Sequence, residues 1–310
     1  MGQQSACGIV HTVFIVGAGL SAEYGFPLGS ALFTKLRELC ASSSAEPFHT
    51  RVRDACGGIA IKSMQRALQW SEAETVDEFL AENSDDMRRL VKTAMADILL
   101  TDERQFSMRA LRDHKGTAYH LLWNKFIADP HAAAQTKIIT FNYDRSLDFY
   151  FYRKATSAMV QVGRHPQLEC SPVEILHVHG ELGETRPDDS WWHEELPSTS
   201  VPVTQKSART IRVYSEAGEL NRFEKAWEWI ERAERVVFLG FEFHESNLQH
   251  LRFIGPKAFI RRSGRCWTTS IGLEVDRMAT LKAQLDPNLN WKGPGIGCRN
   301  FLYDLASIPG

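Results

Sequence analysis

Five short apolar runs rich in β-forming residues recur at wide spacing along the chain, and they constrain its fold more than any other feature. They cover residues 11–16, 136–141, 173–179, 235–241 and 265–272. Near-continuous apolar runs such as VFIV and VVFL are typical of strands covered on both faces, which favours a parallel sheet. Amphipathic helical patterns, for example over 28–39 and 218–234, lie between them. The alternation predicts an α/β fold with a Rossmann-like doubly wound parallel sheet.

One block interrupts this alternation. Between residues 41 and 129 the sequence shows helical patterns and no convincing strand. We therefore expect a helical subdomain, 41–129, inserted into a Rossmann-like core of residues 11–40 and 130–285. The whole of 1–310 is expected to form a single domain.

A second irregular stretch, 184–205, contains several prolines and follows a strand end. Long loops at the carboxyl ends of parallel strands often line a ligand crevice, so this stretch is expected to lie near a binding site. The Trp191–Trp192 pair within it fits either a contact or lid element or packing on the sheet edge.

The chain carries no dominant charge. Thirty-six Lys and Arg against 38 Asp and Glu give a net charge of −2, so no direct nucleic-acid binding is expected. No apolar stretch approaches the roughly 20 residues that span a bilayer, and the first residues lack a signal-peptide pattern. The six scattered cysteines contain no C-x-x-C pair and fit a reducing compartment. We expect a cytoplasmic protein that makes no membrane contact.

A glycine-rich turn follows the first apolar run. Gly17-Ala18-Gly19-Leu20-Ser21-Ala22 satisfies a loose G-x-G-x-x-G/A pattern, in which a tight turn presents backbone N–H groups to a phosphate. A strand–helix turn without a ligand would also favour small residues. The hydride-transfer version needs a second strand that ends in Asp or Glu about 20 residues further on. Helical patterns occupy that place here, which disfavours a redox function.

Four motifs, in this order, resemble those of the sirtuin superfamily over about Val13 to Gly272. The first is G-A-G-x-S-x-x-x-G-x-P at 17–27, and the second is T-x-N-x-D at 140–144. His179-Gly180 forms the third, and a late strand ending at Gly240 forms the fourth. The resemblance implies a site that binds NAD and breaks the bond between its nicotinamide and ribose.

The resemblance also implies roles for individual residues. His179 would act as general base, Asn142 would hydrogen-bond the ribose or the attacking water, and Asp144 would orient the loop that carries Asn142. The implied NAD-binding residues are Gly17, Ala18, Gly19, Ser21, Pro27, Asp77, Gly240 and Asn247, with Ser21 and the backbone of Ala18 and Gly19 at the phosphates.

Several of these residues also have ordinary structural interpretations. Asn142 and Asp144 fit equally the start of the helix that follows them, and Asn247 fits a helix N-cap as well as an adenosine contact. His177 and His179 lie two residues apart and would share one strand face, where a histidine is more often part of the core.

Two departures from the protein-deacylating sirtuins bear on the reaction. The four zinc-binding cysteines that follow the His-Gly motif are missing, and Leu28, Gly29 and Ser30 stand where those enzymes have Asp-Phe-Arg. The sequence is more similar to bacterial sirtuin-like NAD hydrolases of anti-phage defence. The shared motifs are G-x-P-L-G at 25–29, V-D-E-F-L at 76–80, F-N-Y-D at 141–144 and H-x-H-G at 177–180.

This closer resemblance implies a gated NAD hydrolase that releases ADP-ribose and nicotinamide. It further implies a homo-oligomer and a separate sensor or activator protein, such as a HerA-type ATPase or an Argonaute-like protein. No metal is expected. Three alternatives remain open: an NAD-dependent protein deacylase, a non-catalytic sensor of NAD or ADP-ribose, and a metal hydrolase that uses His177, His179 and His193.

Overall fold

A computed structural model describes residues 11–56, 61–110, 115–161, 172–183, 201–212, 219–258, 265–291 and 293–305. Its strands are β1 (Thr12–Val16), β2 (Thr136–Thr140), β3 (Glu174–His177), β4 (Arg235–Leu239) and β5 (Cys266–Thr268). Every neighbouring pair is parallel, and the order in the sheet is β3-β2-β1-β4-β5. The five predicted strands and the parallel α/β sheet are confirmed, and the strand order is consistent with a Rossmann-like fold.

Helices connect these strands. Between β1 and β2 lie α1 (Gly29–Ala41), α2 (Glu46–Ala55), α3 (Ile61–Trp70), α4 (Val76–Glu82), α5 (Asp85–Ala110), α6 (Ala118–Leu122) and α7 (Pro130–Ala134), with a π-helical turn (Trp123–Ile127) after α6. The remaining helices are α8 (Ser146–Gln161), α9 (Val201–Thr210), α10 (Glu219–Arg232), α11 (Glu245–His250), α12 (Val275–Gln284) and α13 (Cys298–Leu305). No helix in the described ranges is long and apolar enough to cross a membrane.

The central strand β1 is buried on both faces, as its continuous apolar run predicts. Phe14 and Val16 join a core cluster with side chains of α6, α8 and α13. Val13 and Ile15 point the other way and join a cluster with α10, α11 and α12. Because neighbouring strand residues face opposite sides, helices cover both faces of the sheet.

The helices α1 to α5 pack around a third core cluster. Tyr143, which follows β2, and Leu182, which follows β3, are buried in the same cluster. These helices therefore lie against the carboxyl ends of the strands. By contrast, α6 packs into the sheet cluster that contains Phe14. The predicted subdomain boundaries, 41–129, stay a prediction.

Two sequence-based expectations need correction. Residues 201–205 belong to α9 rather than to an irregular stretch. Pro202 lies in the first turn of α9, where the missing N–H of proline disrupts no helical hydrogen bond. Trp191, Trp192 and His193 lie outside the described residues. The strand expected over 173–179 ends at His177, and the chain turns before Gly180, which adopts a φ of +74°.

Candidate functional site

A cavity of about 300 Å³ lies at the carboxyl ends of the strands. It is bounded by the segments that follow β1, β2, β3 and β4, and by parts of α1, α4 and α11. The chain leaves β1 for β2 on one side while β4 lies on the other side, so this is the switch point of the sheet, where α/β proteins bind ligands. Eight predicted site residues line it: Gly17, Ala18, Pro27, Asp77, Asn142, Asp144, His179 and Asn247.

Three glycines bring the segments that follow β1 and β4 into direct contact. Gly17 and Gly19 lie in the turn after β1, and Gly240 follows β4. The Gly19 N–H donates to the Gly240 carbonyl across 2.9 Å. A Cβ on Gly17 or Gly19 would lie within 2.7 Å of Gly240 backbone atoms, and one on Gly240, at φ +59°, would lie 2.3 Å from the Leu20 nitrogen. Gly19 and Gly240 do not line the cavity. Their evident role is close packing, and their contact with a phosphate stays a prediction.

Ser21 connects the two predicted catalytic residues that follow β2. Its side chain is fully buried. The Asn142 Nδ2 donates to the Ser21 Oγ across 3.2 Å, and the Ser21 hydroxyl lies 3.3 Å from the Asp144 Oδ2. Ser21 does not line the cavity, so the structure places it behind Asn142 rather than at a ligand surface.

Asp144 supports the start of α8 as well as the site. Its Oδ1 accepts from the Ser146 backbone N–H at 3.2 Å and from the Ser146 hydroxyl, which in turn contacts the Tyr119 hydroxyl at 2.6 Å. Burial raises the pKa of Asp144 to about 6, against the effect of the Ser146 hydrogen bonds. The helix-start interpretation of Asp144 therefore holds, and it coexists with the link to Ser21.

Asn142 is held by hydrogen bonds at several of its polar groups. Its N–H donates to the Thr140 Oγ1 across 3.1 Å, and its carbonyl accepts from the His177 Nδ1 at 3.0 Å. The side-chain Oδ1 is buried and has no hydrogen-bond partner among the described residues. A buried acceptor without a partner is rare and points to a ligand or water.

His177 and His179 do not share a strand face, contrary to the expectation from their spacing. Because β3 ends at His177, the chain turns before His179 and the two rings enter different environments. The His177 Nε2 pairs with the Asp148 carboxylate of α8 at 3.1 Å. Burial alone would lower the pKa of His177, but the Asp148 charge and hydrogen bond raise it to about 9. The raised pKa favours the protonated form of His177, whose Nδ1 contacts the Asn142 carbonyl.

His179 lines the cavity in a mostly aromatic setting. Its ring lies 5.2 Å from that of Phe141 and 6.0 Å from that of Phe223. Burial lowers the pKa of His179, although the Asp77 charge and a hydrogen bond with Asn247 oppose the shift. Its Nδ1 is buried without a hydrogen-bond partner in the described part of the chain. A neutral imidazole of this kind can accept a proton near pH 7.

Asp77 reaches the cavity from the first turn of α4. A capping box formed by Thr75 and Glu78 begins this helix, because each side chain bonds the backbone of the other residue. The Tyr143 hydroxyl donates to the Asp77 Oδ1 across 2.6 Å. Tyr143 thus places a carboxylate near His179.

The segment after β4 supplies the rest of the wall. His244 occupies the N-cap position of α11, so Asn247 lies within the helix and the N-cap interpretation of Asn247 is wrong. His244 and Glu242 approach to 3.3 Å, and this contact raises the pKa of His244 and lowers that of Glu242. Burial and the neighbouring His179 lower the pKa of His250 to about 4.

No protein-family model matches this sequence, and no curated protein matches it. In the ranges that the structure describes, no group of three or more His, Cys, Asp and Glu is arranged to hold a metal ion. His193, the third histidine of the metal-hydrolase alternative, is not among those residues.

Several residues that shape the site have no role in the NAD-binding interpretation of the motifs. Tyr143 belongs to the F-N-Y-D motif and His177 to the H-x-H-G motif, so their place in these motifs is the sequence feature that could have indicated them. Arg145 donates from its backbone and guanidinium to Glu103 of α5, at 2.7 and 3.0 Å, and anchors the loop after β2. Nothing in the spacing of Arg145 and Glu103 indicates that pair, since they belong to separate elements.

Proposed function

We propose that this protein is an NAD hydrolase that converts NAD to ADP-ribose and nicotinamide. One observation carries the proposal: His179 Nδ1 and Asn142 Oδ1, two buried polar atoms without hydrogen-bond partners among the described residues, belong to side chains that line one cavity at the switch point of the sheet. A base beside a hydrogen-bond acceptor suits the activation of water or of a ribose hydroxyl. The four sirtuin-like motifs support the same assignment.

In the proposed reaction, the bond between the ribose C1′ and the pyridinium nitrogen breaks. The bonding electron pair leaves with nicotinamide and neutralises its positive charge. The oxygen of a water molecule bonds to C1′, and neutral His179 accepts the proton and passes it to solvent. Asn142 Oδ1 accepts a hydrogen bond from the attacking water or from a ribose hydroxyl.

The transition state of this reaction resembles an oxocarbenium ion, so a nearby fixed negative charge stabilises it. Asp77 supplies such a charge, and the 2.6 Å hydrogen bond from Tyr143 holds it in place. Gly17 and Ala18 line the same cavity, and their backbone would lie against the phosphates. Pro27 and Asn247 would contact the remainder of the dinucleotide.

An unregulated NAD hydrolase would harm its own cell, so we propose that the activity is gated. The proposed setting is the cytoplasm of a bacterium, in anti-phage defence. A homo-oligomer and a separate sensor, such as a HerA-type ATPase or an Argonaute-like protein, would provide the gate. In this proposal the helices of residues 41–129 form an inserted subdomain that contributes Asp77.

The test is to incubate the wild-type chain, His179→Ala and Asn142→Ala with NAD and to measure nicotinamide by chromatography. We expect both substitutions to reduce release by about 100-fold or more, while ADP-ribose binding, measured by calorimetry, persists in His179→Ala. His131→Ala, which removes an exposed histidine on α7, is the matched control and should retain the wild-type rate.

Normal turnover in both variants would contradict the proposed roles. Binding of ADP-ribose by a wild-type chain that releases no nicotinamide, alone or with its partner, would favour the sensor. Release that requires an acyl-lysine peptide would favour the deacylase.

A further inference from the structure

A second cavity, of about 480 Å³, lies between the end of α2, the first turns of α5 and one side of α9. Among the described residues, the two cavities share no lining residue. The Gln205 side chain of α9 donates to the Ala55 carbonyl of α2 across 2.8 Å and holds two of the walls together. This cavity is therefore a separate candidate site.

Positive charge dominates its lining. Arg88, Arg89 and Lys92 lie on neighbouring turns of α5, and Arg209 reaches in from α9. Asp85 is the one acidic residue in the described lining, and its side chain, which is 98% exposed, pairs with Arg88 at 3.3 Å. Because the whole chain has a net charge of −2, this excess of cations is a local feature.

At least one of these cations could exchange its present carboxylate partner for an anionic ligand. Arg89 pairs with Asp86 at 3.5 Å, but both side chains are more than half exposed, and such pairs contribute little. Lys92 is 7% exposed, so its ammonium acts in a setting where charge–charge interactions are stronger than in bulk water. Arg209 is exposed at the edge of the cavity.

We propose that this second cavity binds a small anion with two or more phosphate groups. Guanidinium groups match phosphate oxygens with paired hydrogen bonds, and a lysine adds a compact charge. The cavity also contains the Cys56 thiol, whose pKa is raised by burial, which disfavours the reactive thiolate.

Arg88 connects this cavity with the first one. Its Nε donates to the Leu80 carbonyl at 2.6 Å, and one Nη donates to the Ala81 carbonyl at 3.0 Å. Both carbonyls lie near the end of α4, the helix that carries Asp77, and Ala81 itself lines the first cavity. A phosphate that competes for Arg88 would withdraw it from these carbonyls and loosen a helix of only seven residues. Binding in the second cavity would thus be communicated to α4.

The binding test uses inorganic tripolyphosphate, titrated by calorimetry into the full chain at low and high salt. We expect the affinity of the wild type to fall with salt, and that of Arg209→Glu and Arg89→Glu to be about ten-fold weaker. Arg104→Glu, an exposed arginine of α5 outside the cavity, is the matched control and should bind as the wild type does. Circular dichroism melting checks that each variant is folded.

Equal binding of tripolyphosphate by all four proteins, or no binding by the wild type at millimolar tripolyphosphate, would overturn the proposed site. Preferred binding of a duplex oligonucleotide, weakened by the same substitutions, would assign the surface to nucleic acid instead and also overturn it.

The proposed link from the second cavity through Arg88 to α4 is tested separately, by hydrogen exchange of the α4 backbone. Tripolyphosphate should speed exchange in α4, and unchanged exchange at saturating ligand would overturn the link through Arg88. Neither measurement uses NAD turnover, so failure of this proposal is distinguishable from failure of the proposed hydrolase.

Discussion

Ser21 and Asn142 lie 121 positions apart in the chain, yet the Asn142 Nδ2 donates to the Ser21 Oγ across 3.2 Å in the buried interior. The contact joins the turn after β1 to the loop after β2. It orients the Asn142 amide so that Nδ2 points into the protein, while Oδ1 has no hydrogen-bond partner in the described part of the chain. A residue of the glycine turn thereby sets the geometry of a proposed catalytic group.

Ser21→Ala should lower nicotinamide release without unfolding the protein. The substitution leaves the Asn142 Nδ2 without its acceptor in a buried position, which costs about 1–3 kcal/mol in the free energy of unfolding. We expect turnover to fall while ADP-ribose binding changes little. Ser30→Ala, at an exposed position in α1, is the control. Unaltered turnover and stability in Ser21→Ala would show that the contact does not position Asn142.

The pair of His177 and Asp148 should make stability depend on pH. The folded pKa of His177, about 9, lies above its ordinary value of 6.5. The pair therefore stabilises the fold fully below pH 6.5, and this contribution, about 3 kcal/mol, is lost as the pH rises through 9. Urea unfolding at pH 6 and pH 9.5 measures it. In Asp148→Asn the loss between these pH values should become clearly smaller, with Glu181 and the Asn142 carbonyl as the remaining causes of the raised pKa, and an unchanged pH dependence would refute the pairing.

Buried Asp144 should destabilise the fold at neutral pH, whereas the pair of His177 and Asp148 stabilises it. The folded pKa of Asp144, about 6, is raised above the ordinary 3.8 by burial. Its protonated form is favoured in the fold, so the free energy of unfolding decreases as the pH rises from 3.8 through 6. Asp144→Asn should remove that decrease, raise the free energy of unfolding at pH 7 by about 1–3 kcal/mol and lower turnover. Asp54→Asn, on the surface of α2, should change neither quantity. Destabilisation by Asp144→Asn at pH 7 would count against this account.

Gly240→Ala should be severely destabilising. The residue has a φ of +59°, and an added Cβ would lie 2.3 Å from the Leu20 nitrogen. We expect a loss of about 3 kcal/mol or more in the free energy of unfolding, from backbone strain and overlap together. Gly272→Ala is the matched control, because its φ is +77° and no atom of the described residues lies within 4 Å of the added Cβ. It should cost about 1 kcal/mol. Equal losses in thermal unfolding would show that the close approach of the two turns is unimportant.

The sequence predicted all five strands, and most directly β1 and β4, because their burial on both faces requires a continuous apolar run. The edge strand β3 is only partly buried. The sequence was less successful where an element's end depends on local geometry. The strand expected to reach His179 ends at His177, and this difference separates the environments of the two histidines. Pro202 was interpreted as a mark of irregular structure, although proline is compatible with the first turn of a helix.

The sequence also predicted which residues line the first cavity better than it predicted the contacts among them. Motif order brought Asn142, His179 and Asp77 together as candidates, and the structure places all three around one cavity. The links among them were beyond the sequence. Tyr143 to Asp77 and Arg145 to Glu103 join different elements, and only the packing of α4 and α5 over the sheet creates those contacts.

The sequence by itself determined the class of fold, the strand ends that carry polar residues, and the need for glycine where β1 turns. Hydrophobic periodicity and backbone freedom are local properties, so they can be inferred from the amino-acid sequence. Tertiary structure alone decided that Ser21 lies behind Asn142, that His177 pairs with Asp148, and that cations of α5 and α9 share a second cavity. Those outcomes depend on burial and on distances between remote residues, which arise only when the helices pack against the sheet.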